Sequence, residues 1–292
     1  MINTKKCAIL TMDNLQDFEC YDQLLVDPLT QLGWQVDFIS WKAKDICWDD
    51  YFVVIIRSTW DYQNDVSAFF KVLEKIEASH AILENSLEIV RWNLEKTYLK
   101  DLEAQGIQIV PTHWYDKFDT HSLTKAFNYW NCEEIIVKPV VSANADNTFR
   151  IHTQRQLNDH SQLFSVFENR AYMVQPFIQN ILKEGEFSTF YFNGEYSHSI
   201  LKTPKQGDFR VQEEHGGSLL KIEPEVTLKD ISLKILQQIN PTPLYARLDF
   251  VRNKNNEFCV MEVELIEPSL YFNMDPQAAE RFARVLDEKY SK

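Results

Sequence analysis

The stretch RLDFVRNKNNEFCVMEVE, residues 247–264, contains two apolar segments with charged positions on either side of a polar turn. Side chains alternate between the two faces of a strand, so Arg247 and Asp249 share one face of the first segment. Glu262 and Glu264 share one face of the second segment by the same rule. If the turn brings Asp249 opposite Val260 or Glu262, all four charged groups face the same side. The stretch therefore predicts a β-hairpin with one charged face.

Three carboxylates on one face of a hairpin need an explanation, because like charges placed across a sheet are destabilising. The apolar neighbours of Glu262 indicate a partly buried strand, and acidic side chains are rarely buried without a cation. Ligand sets made only of oxygen suit magnesium, which also binds phosphate oxygens. One interpretation is a magnesium site for a nucleoside triphosphate. The other is that the acids form the hydrated face of an amphipathic hairpin.

The composition is that of a globular protein. The chain has 292 residues, 45% of them hydrophobic and 25% charged, with a formal net charge of -13. This length suits two or three lobes. The acidic balance argues against a nucleic-acid partner, because phosphate backbones are bound by clustered Lys and Arg. No segment approaches the ~18 apolar residues of a membrane span and no secretory leader is recognisable, so we expect a cytoplasmic protein without a membrane partner.

Strand and helix patterns alternate through the first third of the chain. The predicted elements are strands at 7–12, 35–40 and 52–56, a helix over 21–32 and a helix around 69–76. Such alternation implies a parallel sheet covered by helices, as in a Rossmann-like lobe. A further helix is predicted from Asn85 to Gly106, followed by a strand at 107–110.

Two α+β regions are predicted after this lobe. Their elements are helices over 121–129, after Thr227 and after Asp275-Pro276, and strands at 134–139 and 172–178. The absence of a long linker indicates that the lobes pack as one unit. The predicted domains are 1–112, 113–178 and 179–292, and the fold class is α/β, or α+β overall.

The segment Arg57-Ser58-Thr59-Trp60-Asp61-Tyr62 follows directly after an apolar strand. Parallel α/β sheets bind ligands at the carboxyl ends of their strands. We therefore expect Arg57 to clamp a substrate carboxylate bidentately, with Trp60 and Tyr62 as a wall and Asp61 between them. The alternative is a capped turn with two aromatic side chains buried between lobes.

Lys138-Pro139 ends another apolar strand and leads into a loop of small and turn-forming residues that extends to Arg150. A lysine beside exposed backbone amides can hold phosphate oxygens by its charge and by the N–H donors. The same residues are typical of loops selected only for turn geometry. On its own, this stretch leaves phosphate binding open.

Seven short pieces follow one another over about residues 85–270. They are Asn85 with Arg91, Glu95 and Lys96; Lys138-Pro139 through Phe149-Arg150; Gln175-Pro176-Phe177-Ile178; Glu184-Gly185-Glu186; Arg210 with Gly216-Gly217; Asp249; and Glu262-Val263-Glu264. Their order resembles the ATP-grasp superfamily, in particular the prokaryotic glutathione synthetase type of ligase. The resemblance implies the ATP-grasp fold, in which a Rossmann-like N-terminal lobe is joined to two α+β lobes that clasp ATP.

The resemblance also implies roles for individual residues. The implied ATP contacts are Lys96, Lys138, Ser142, Glu186 and the backbone of Gln175, Pro176, Phe177 and Ile178. Lys202 and Arg210 would be catalytic residues that face the transferred phosphate and the acyl centre. Asp249, Glu262 and Glu264 would hold two magnesium ions, with manganese as a substitute. Phosphoryl transfer requires such positioning and charge neutralisation more than covalent help from the protein.

Two positions depart from the family pattern. The loop at 142–145 lacks the family's glycines, so its backbone is less free to close over ATP. Glu264 stands where the family has asparagine and adds a negative charge to the implied metal site. Together with the tail 265–270, in which Glu267 and Ser269 are candidate substrate residues, these departures resemble the branch that contains O-ureidoserine cyclo-ligase.

The resemblance implies an ATP-dependent carboxylate-amine ligase that forms an amide-type bond through an acyl phosphate and releases ADP and phosphate. Its substrates would be a small amino-acid-like acid and an amine. The two departures keep two alternatives open: a nucleotide-binding regulatory protein without turnover, and an ATP-grasp phosphotransferase. The identity of both substrates, intramolecular or intermolecular ligation, and the oligomeric state, a homo-oligomer included, are left open by the sequence.

Overall fold

The structure, a computed structural model, describes residues 5–142, 145–152 and 161–291. It begins with a parallel sheet that has helices on both faces. The strands are β1 (Lys5–Thr11), β2 (Trp34–Ser40), β3 (Val53–Ser58) and β4 (Ile82–Glu84), and the helices are α1 (Val26–Gln31) and α2 (Val66–Glu77). The strand order is β2-β1-β3-β4. The predicted Rossmann-like arrangement is confirmed.

Both faces of this sheet are buried, which explains its continuous apolar strands. Successive side chains of β1 alternate between a core that includes α1 and a core that includes α2. Local chemistry sets the helix ends. Asp65 caps the start of α2 by accepting a hydrogen bond from Ala68 N at 2.9 Å. Gly33 follows α1 with φ +85°, a conformation that glycine enters without strain.

Two short helices follow the first sheet, α3 (Leu87–Asn93) and α4 (Tyr98–Ala104). The prediction of one helix from Asn85 to Gly106 is therefore wrong. Between the two helices, Lys96 N donates to Val140 O at 2.9 Å instead of to a helical carbonyl, so a contact with a distant segment replaces a local one. The strand predicted at 107–110 is reduced to a single bridge between Ile109 and Val260.

The central sheet is antiparallel. Its elements are β5 (His113–Tyr115), α5 (Thr120–Trp130), β6 (Glu134–Pro139), β7 (Phe149–His152), α6 (Ser161–Phe167) and β8 (Tyr172–Pro176). The strand order is β5-β8-β6-β7. The predicted α5, β6 and β8 are confirmed, whereas β5, β7 and α6 are too short for their periodicity to be recognised. Ala143 and Asn144, in the loop predicted to cover ATP, lie outside the described residues.

The third sheet is also antiparallel and carries the charged hairpin. Its elements are α7 (Asn180–Lys183), β9 (Glu186–Phe192), β10 (Glu195–Thr203), β11 (Ser218–Lys221), α8 (Val226–Leu236), β12 (Tyr245–Arg252), β13 (Phe258–Glu264) and α9 (Ala278–Tyr290). The strand order is β11-β10-β9-β12-β13. In the hairpin Asp249 pairs with Glu262 and Arg247 with Glu264, which confirms the predicted common face.

Two predicted helix starts are wrong. Helix α8 begins at Val226 after Glu225, so Thr227 lies within it. Helix α9 begins at Ala278, and Asp275 instead organises the preceding turn by accepting a hydrogen bond from Gln277 N at 2.9 Å. Local capping residues indicate a helix start only to within one or two positions.

The third sheet separates two environments. One face of β9 and β12 packs against α4 and α8 in an apolar core. At one end of the opposite face, β9 and β12 pack with α9 and the first sheet. The other end carries the charged residues. The alternation of side chains along these strands therefore decides which residues are enclosed and which face open space. No described helix combines the length and the apolar character needed to cross a membrane.

Candidate functional site

A cavity of about 190 Å³ lies between the central sheet and the third sheet. Its walls come from β6 and β8 on one side and from β9, β10, β12 and β13 on the other. The predicted site residues that line it are Trp60, Lys96, Lys138, Ser142, Gln175, Pro176, Phe177, Ile178, Glu186, Lys202, Arg210, Asp249, Glu262, Glu264, Glu267 and Ser269. The fold therefore brings together residues that are separated by more than two hundred positions in the chain.

Glu262 is held by two lysines from different parts of the chain. Lys138 Nζ lies 3.1 Å and Lys96 Nζ 3.4 Å from Glu262 Oε1. Lys96 Nζ also donates to Ser142 O at 2.8 Å, which ties it to the start of the loop after β6. Burial alone would raise the pKa of Glu262, but the two lysines outweigh it and lower the pKa to about 2. Glu262 is therefore ionised at neutral pH.

Asp249 is buried and has cations on both carboxylate oxygens. Lys202 Nζ lies 3.2 Å from Oδ1, and Arg247 Nε donates to Oδ2 at 3.1 Å. The Ser188 hydroxyl also donates to this carboxylate. Burial opposes ionisation, but Arg247 and Lys202 outweigh it and lower the pKa of Asp249. Lys202 is in turn shared with Glu186, so one ammonium group joins two strands of the sheet.

Glu264 and Glu267 differ from these two acids. Glu264 pairs with Arg247, yet burial is the larger effect and raises its pKa to about 7. Burial, followed by the charge of Glu264, raises the pKa of Glu267 to about 8. Both carboxyls therefore hold a proton to higher pH than Asp249 and Glu262 do. The cavity therefore contains two strong acids, Asp249 and Glu262, and two weaker acids, Glu264 and Glu267.

The implied magnesium ligands have suitable chemistry, because Asp249, Glu262 and Glu264 are all oxygen donors that line one cavity. Within the described ranges, however, no group of three or more His, Cys, Asp or Glu side chains is arranged as a ready metal site. The acids are separated by the lysines and the arginine that they bind. In this structure Lys and Arg side chains compensate the charge of these acids. The metal ions to which the sequence assigned that role remain a prediction.

The segment 175–178, expected to offer backbone groups to adenine, lines the cavity at the end of β8. Its backbone groups are partly in use, because Gln175 and Pro176 pair with Ile136 and Ile135 in the central sheet. Phe177 N donates to Glu134 O at 3.0 Å, and Ile178 O accepts from Ile181 N at 3.0 Å. Gln175 Nε2 donates to Thr112 Oγ1 at 2.9 Å. A base bound here would therefore use the remaining backbone groups of the segment.

Arg210 lies at the rim of the cavity. Its Nη2 donates to Asp208 Oδ2 at 2.7 Å, and its side chain is 37% exposed. The hydrogen bonds and charge of Arg210 hold the pKa of Asp208 well below its usual range. Because this pair is at the surface, Arg210 can exchange Asp208 for a ligand at low cost in free energy.

The structure corrects the predictions for Arg57 and Asp61, because neither is among the described residues that line the cavity. Arg57 is fully buried, with Nε donating to Asp22 Oδ1 at 3.1 Å. Asp61 accepts from Trp41 Nε1 at 2.6 Å and pairs with Lys42. The turn after β3 is thus partly a packed corner, and Trp60 and Tyr62, the two residues expected to form a wall, are the members of it that line the cavity.

Sequence reasoning missed three residues of the site. Arg247 was placed on the charged face but given no role, although its spacing from Asp249 was a usable signal. Asn93 and Tyr98 hold the end of β13: Asn93 Nδ2 donates to Val263 O at 2.7 Å, and Tyr98 Oη accepts from Val263 N at 2.8 Å. No local pattern reveals such contacts, because the partners are more than 160 positions apart.

Two protein-family models match the chain. The model of the D-cycloserine synthetase DcsG N-terminal domain matches residues 7–85. The model of the prokaryotic glutathione synthetase ATP-grasp domain matches residues 119–263. The cycloserine biosynthesis protein DcsG of Streptomyces lavendulae is 26% identical over 284 residues, which cover 91% of this chain and 92% of that protein.

Solved structures share the fold. The crystal structure of D-cycloserine synthetase DcsG matches with a TM-score of 0.85 and 23% identity over 97% of this chain and 99% of that one. The ATP-grasp ligase PsnB, complexed with a phosphomimetic variant of its minimal precursor, Mg and ADP, matches with a TM-score of 0.68 and 13% identity. The match covers 98% of this chain and 99% of that one. The D-alanine-D-alanine ligase of Bacillus anthracis matches with a TM-score of 0.67 and 16% identity over 97% of this chain and 95% of that one. At these identities the likeness is one of fold.

Proposed function

Because this chain belongs to the ATP-grasp superfamily, we propose that it is an ATP-dependent ligase that joins a small amino-acid-like carboxylate to an amine. An acyl phosphate would be the intermediate, and ADP and phosphate would be released. The observation that carries the proposal is the set of charge pairs in one cavity, where Glu262 contacts two lysines and Asp249 contacts Lys202 and Arg247.

Lys96 and Lys138 are placed to bind the phosphates of ATP. Both now contact the same oxygen of Glu262, at 3.4 and 3.1 Å. A triphosphate carries more negative charge than one carboxylate, so the two ammonium groups gain more by contacting phosphate oxygens. Their position at the cavity wall lets them do so by a change of rotamer. This exchange would also leave Glu262 available for another cation.

Asp249, Glu262 and Glu264 would hold the magnesium ions, which when bound neutralise charge on the phosphate oxygens. The complex of PsnB with Mg and ADP supports this assignment by fold likeness. Lys202 and Arg247 contribute by keeping Asp249 in its anionic form, as the lowered pKa of that residue shows. Three carboxylates offer enough oxygen donors for the two ions that we expect.

The acyl centre would lie near Lys202, Arg247 and the rim residue Arg210. The substrate carboxylate attacks the terminal phosphorus of ATP, and ADP leaves. The amine then attacks the acyl carbon, and phosphate leaves with the bonding electron pair. Arg210, released from Asp208, would stabilise the negative charge that builds on the acyl oxygen. Glu267 and Ser269 would contact the rest of the substrate.

The DcsG matches support the substrate class that we propose. A relative named for cycloserine biosynthesis covers 91% of this chain, and the N-terminal DcsG model matches the lobe that borders the cavity through Trp60. Cycloserine is a small amino-acid derivative. We therefore expect a substrate of amino-acid size, such as O-ureidoserine or D-alanine, closed or joined through its activated carboxylate.

The test is release of ADP and phosphate from Mg-ATP with a panel of amino acids and dipeptides, and product identification by mass spectrometry. We expect an amide product with one member of the panel. Glu262→Gln should lower turnover about 10²–10³-fold, the usual effect of removing one stabilising group at a reacting centre. Glu257→Gln, which alters an exposed acid just before β13, is the matched control and should have normal turnover.

Other outcomes identify the alternatives. A phosphorylated product without an amide would indicate a phosphotransferase. ATP binding without turnover under any condition would favour a regulatory protein. Unchanged turnover in Glu262→Gln would remove the assignment of this acid to the reaction.

A further inference from the structure

Six consecutive backbone carbonyls after β13 lie within hydrogen-bond distance of side-chain donors. The pairs are Asn85 Nδ2 with Leu265 O (2.7 Å), Tyr245 Oη with Ile266 O (2.9 Å), Trp60 Nε1 with Glu267 O (2.8 Å), Arg57 Nη2 with Pro268 O (2.6 Å), Arg247 Nη1 with Ser269 O (3.1 Å) and His198 Nε2 with Leu270 O (3.2 Å). We call residues 265–270 the platform.

The platform needs these donors because its backbone, described throughout, forms neither helix nor strand. Buried carbonyls without a partner are costly, and irregular segments usually satisfy them with turns or water. Here the donors come from β3 and the turn after it, the turn after β4, β10 and β12. The platform is therefore fixed to the first sheet and to the third sheet at the same time.

The platform lines the cavity with Ile266 and with two polar residues. Glu267 and Ser269 line it, whereas Pro268 between them is buried. The carbonyls of these three residues are held by Trp60, Arg57 and Arg247. A shift in any of these hydrogen bonds would move Glu267 or Ser269 relative to the phosphate-binding lysines.

We propose that residues 265–270 position the amino-acid substrate, and that Arg57 and Trp60 are positioning residues that set where Glu267 and Ser269 meet it. This inference rests on the proposed ligase function. Arg57 can affect a bound substrate only indirectly, through the platform, because its side chain has no exposed surface. Trp60 acts through its indole N–H in addition to forming part of the cavity wall.

The surroundings of Arg57 favour positioning over simple stabilisation. The guanidinium is fixed by Asp22 at 3.1 Å, by Pro268 O at 2.6 Å and by the Tyr245 ring, whose centroid is 5.0 Å away. Its Nη1 is buried and has no acceptor among the described residues. An unpaired buried donor lowers stability. This arginine therefore contacts the Pro268 carbonyl at the expense of a hydrogen bond from Nη1.

Two variants test the proposal with little change of shape. Trp60→Phe keeps an aromatic wall but removes the N–H donor to Glu267 O. Arg57→Lys keeps the charge but lacks the planar fork that reaches Asp22 and Pro268 O together. The matched controls are Trp92→Phe, which removes an indole donor to Asp101, and Arg91→Lys, which alters an exposed pair with Glu74.

The first measurement is amide hydrogen exchange of peptides that cover 265–270, in the ligand-free protein. The lost hydrogen bond is to a carbonyl, so it should act by letting the segment open more often, which should speed exchange of its N–H groups about tenfold in Trp60→Phe and in Arg57→Lys. The control variants should exchange at the wild-type rate there. Wild-type exchange in Trp60→Phe would overturn the proposal, and this variant decides alone if Arg57→Lys does not fold.

The second measurement is steady-state ADP release with O-ureidoserine and D-alanine as probes. We expect the KM for the amino acid to rise about tenfold while the KM for ATP stays within about twofold. An equal rise in both KM values would overturn the positioning role. If the wild type turns over neither probe, the proposed function fails for these substrates, and the exchange result still decides whether the two residues fix the platform.

Discussion

Two arginines hold adjacent carbonyls of the platform in different surroundings. Arg247 donates to Ser269 O at 3.1 Å and from Nε to an aspartate at 3.1 Å, and it lines the cavity. Arg57 donates to Pro268 O at 2.6 Å and from Nε to an aspartate at 3.1 Å, but it is fully buried. An arginine with a platform carbonyl and an aspartate as partners thus lines a cavity in one place and lies in a packed core in the other.

The difference comes from what covers each side chain. Arg247 lies on β12 opposite Glu264, where the third sheet faces open space. Arg57 lies at the end of β3 and is covered by the platform and the Tyr245 ring. In the sequence both are arginines in apolar strands. A local pattern therefore indicates that a charge must be compensated, but not whether a ligand can reach it.

The largest expected effect is on the buried member of the comparison. Arg57→Ala should lower the free energy of unfolding by about 3–5 kcal/mol, because it leaves Asp22, which is 3% exposed, as an uncompensated buried charge. Urea denaturation measures the change. Adding Asp22→Asn should recover part of the loss, and Arg91→Ala is the surface control. Unchanged stability in Arg57→Ala would mean that Arg57 is not a core clamp.

The second prediction concerns the cavity arginine. Arg247→Lys should lower kcat by about 10²–10³-fold, since one ammonium group cannot contact Asp249, Glu264 and Ser269 O together. ADP release at saturating substrate measures it. Arg252→Lys, on the same strand and among the described residues outside the cavity lining, is the control for strand stability. Equal kcat losses in both variants would assign the effect to folding.

The third prediction concerns the pH dependence of stability that comes from Glu267 in the cavity wall. Burial raises the pKa of Glu267 to about 8, against about 4.3 in an unfolded chain. Between these values the folded state keeps a proton that the unfolded state has lost, so stability falls as pH rises. Glu267→Gln does not titrate and should be more stable than wild type at pH ~8 by on the order of 1–3 kcal/mol.

Denaturation of wild type and Glu267→Gln across this pH range measures the difference. The gain should vanish at low pH, where wild-type Glu267 is protonated in both states. A gain that is the same at every pH would show that the carboxyl of Glu267 is not responsible.

The smallest expected effect is at the exposed rim. Asp208→Ala should change the free energy of unfolding by no more than about 0.5 kcal/mol, because exposed ion pairs contribute little. Turnover should persist, since Arg210 must leave Asp208 to contact a ligand. Thermal denaturation and ADP release measure both effects. A loss of turnover would instead make Asp208 necessary for orienting Arg210.

The parts of the site that were predictable have local causes. The common charged face of the hairpin followed from alternation, and the structure selects the pairing of Asp249 with Glu262 from the two that the sequence allowed. Strand β6 with its terminal Lys138 followed from a short apolar run. The order of the seven pieces identified the superfamily without coordinates, because such chemistry needs certain residue types at certain elements. The role of each predicted site residue remains to be tested.

Other features depended on contacts between distant segments. The break between α3 and α4 arises where Lys96 N bonds to Val140 O, which no helical pattern contains. The contact of Glu262 with two lysines from distant segments has no counterpart in the local pattern. The burial of Arg57 depends on a segment more than two hundred positions later.

The sequence by itself determined the type of the longer elements, the charged face of the hairpin and the membership of the superfamily. Tertiary structure decided which charges face the cavity, which cation compensates each acid, and how residues 265–270 are held. The physical reason is the distance along the chain over which each effect acts. Periodicity and capping act over a few residues, whereas exposure and charge pairing depend on which segments the folded chain brings together.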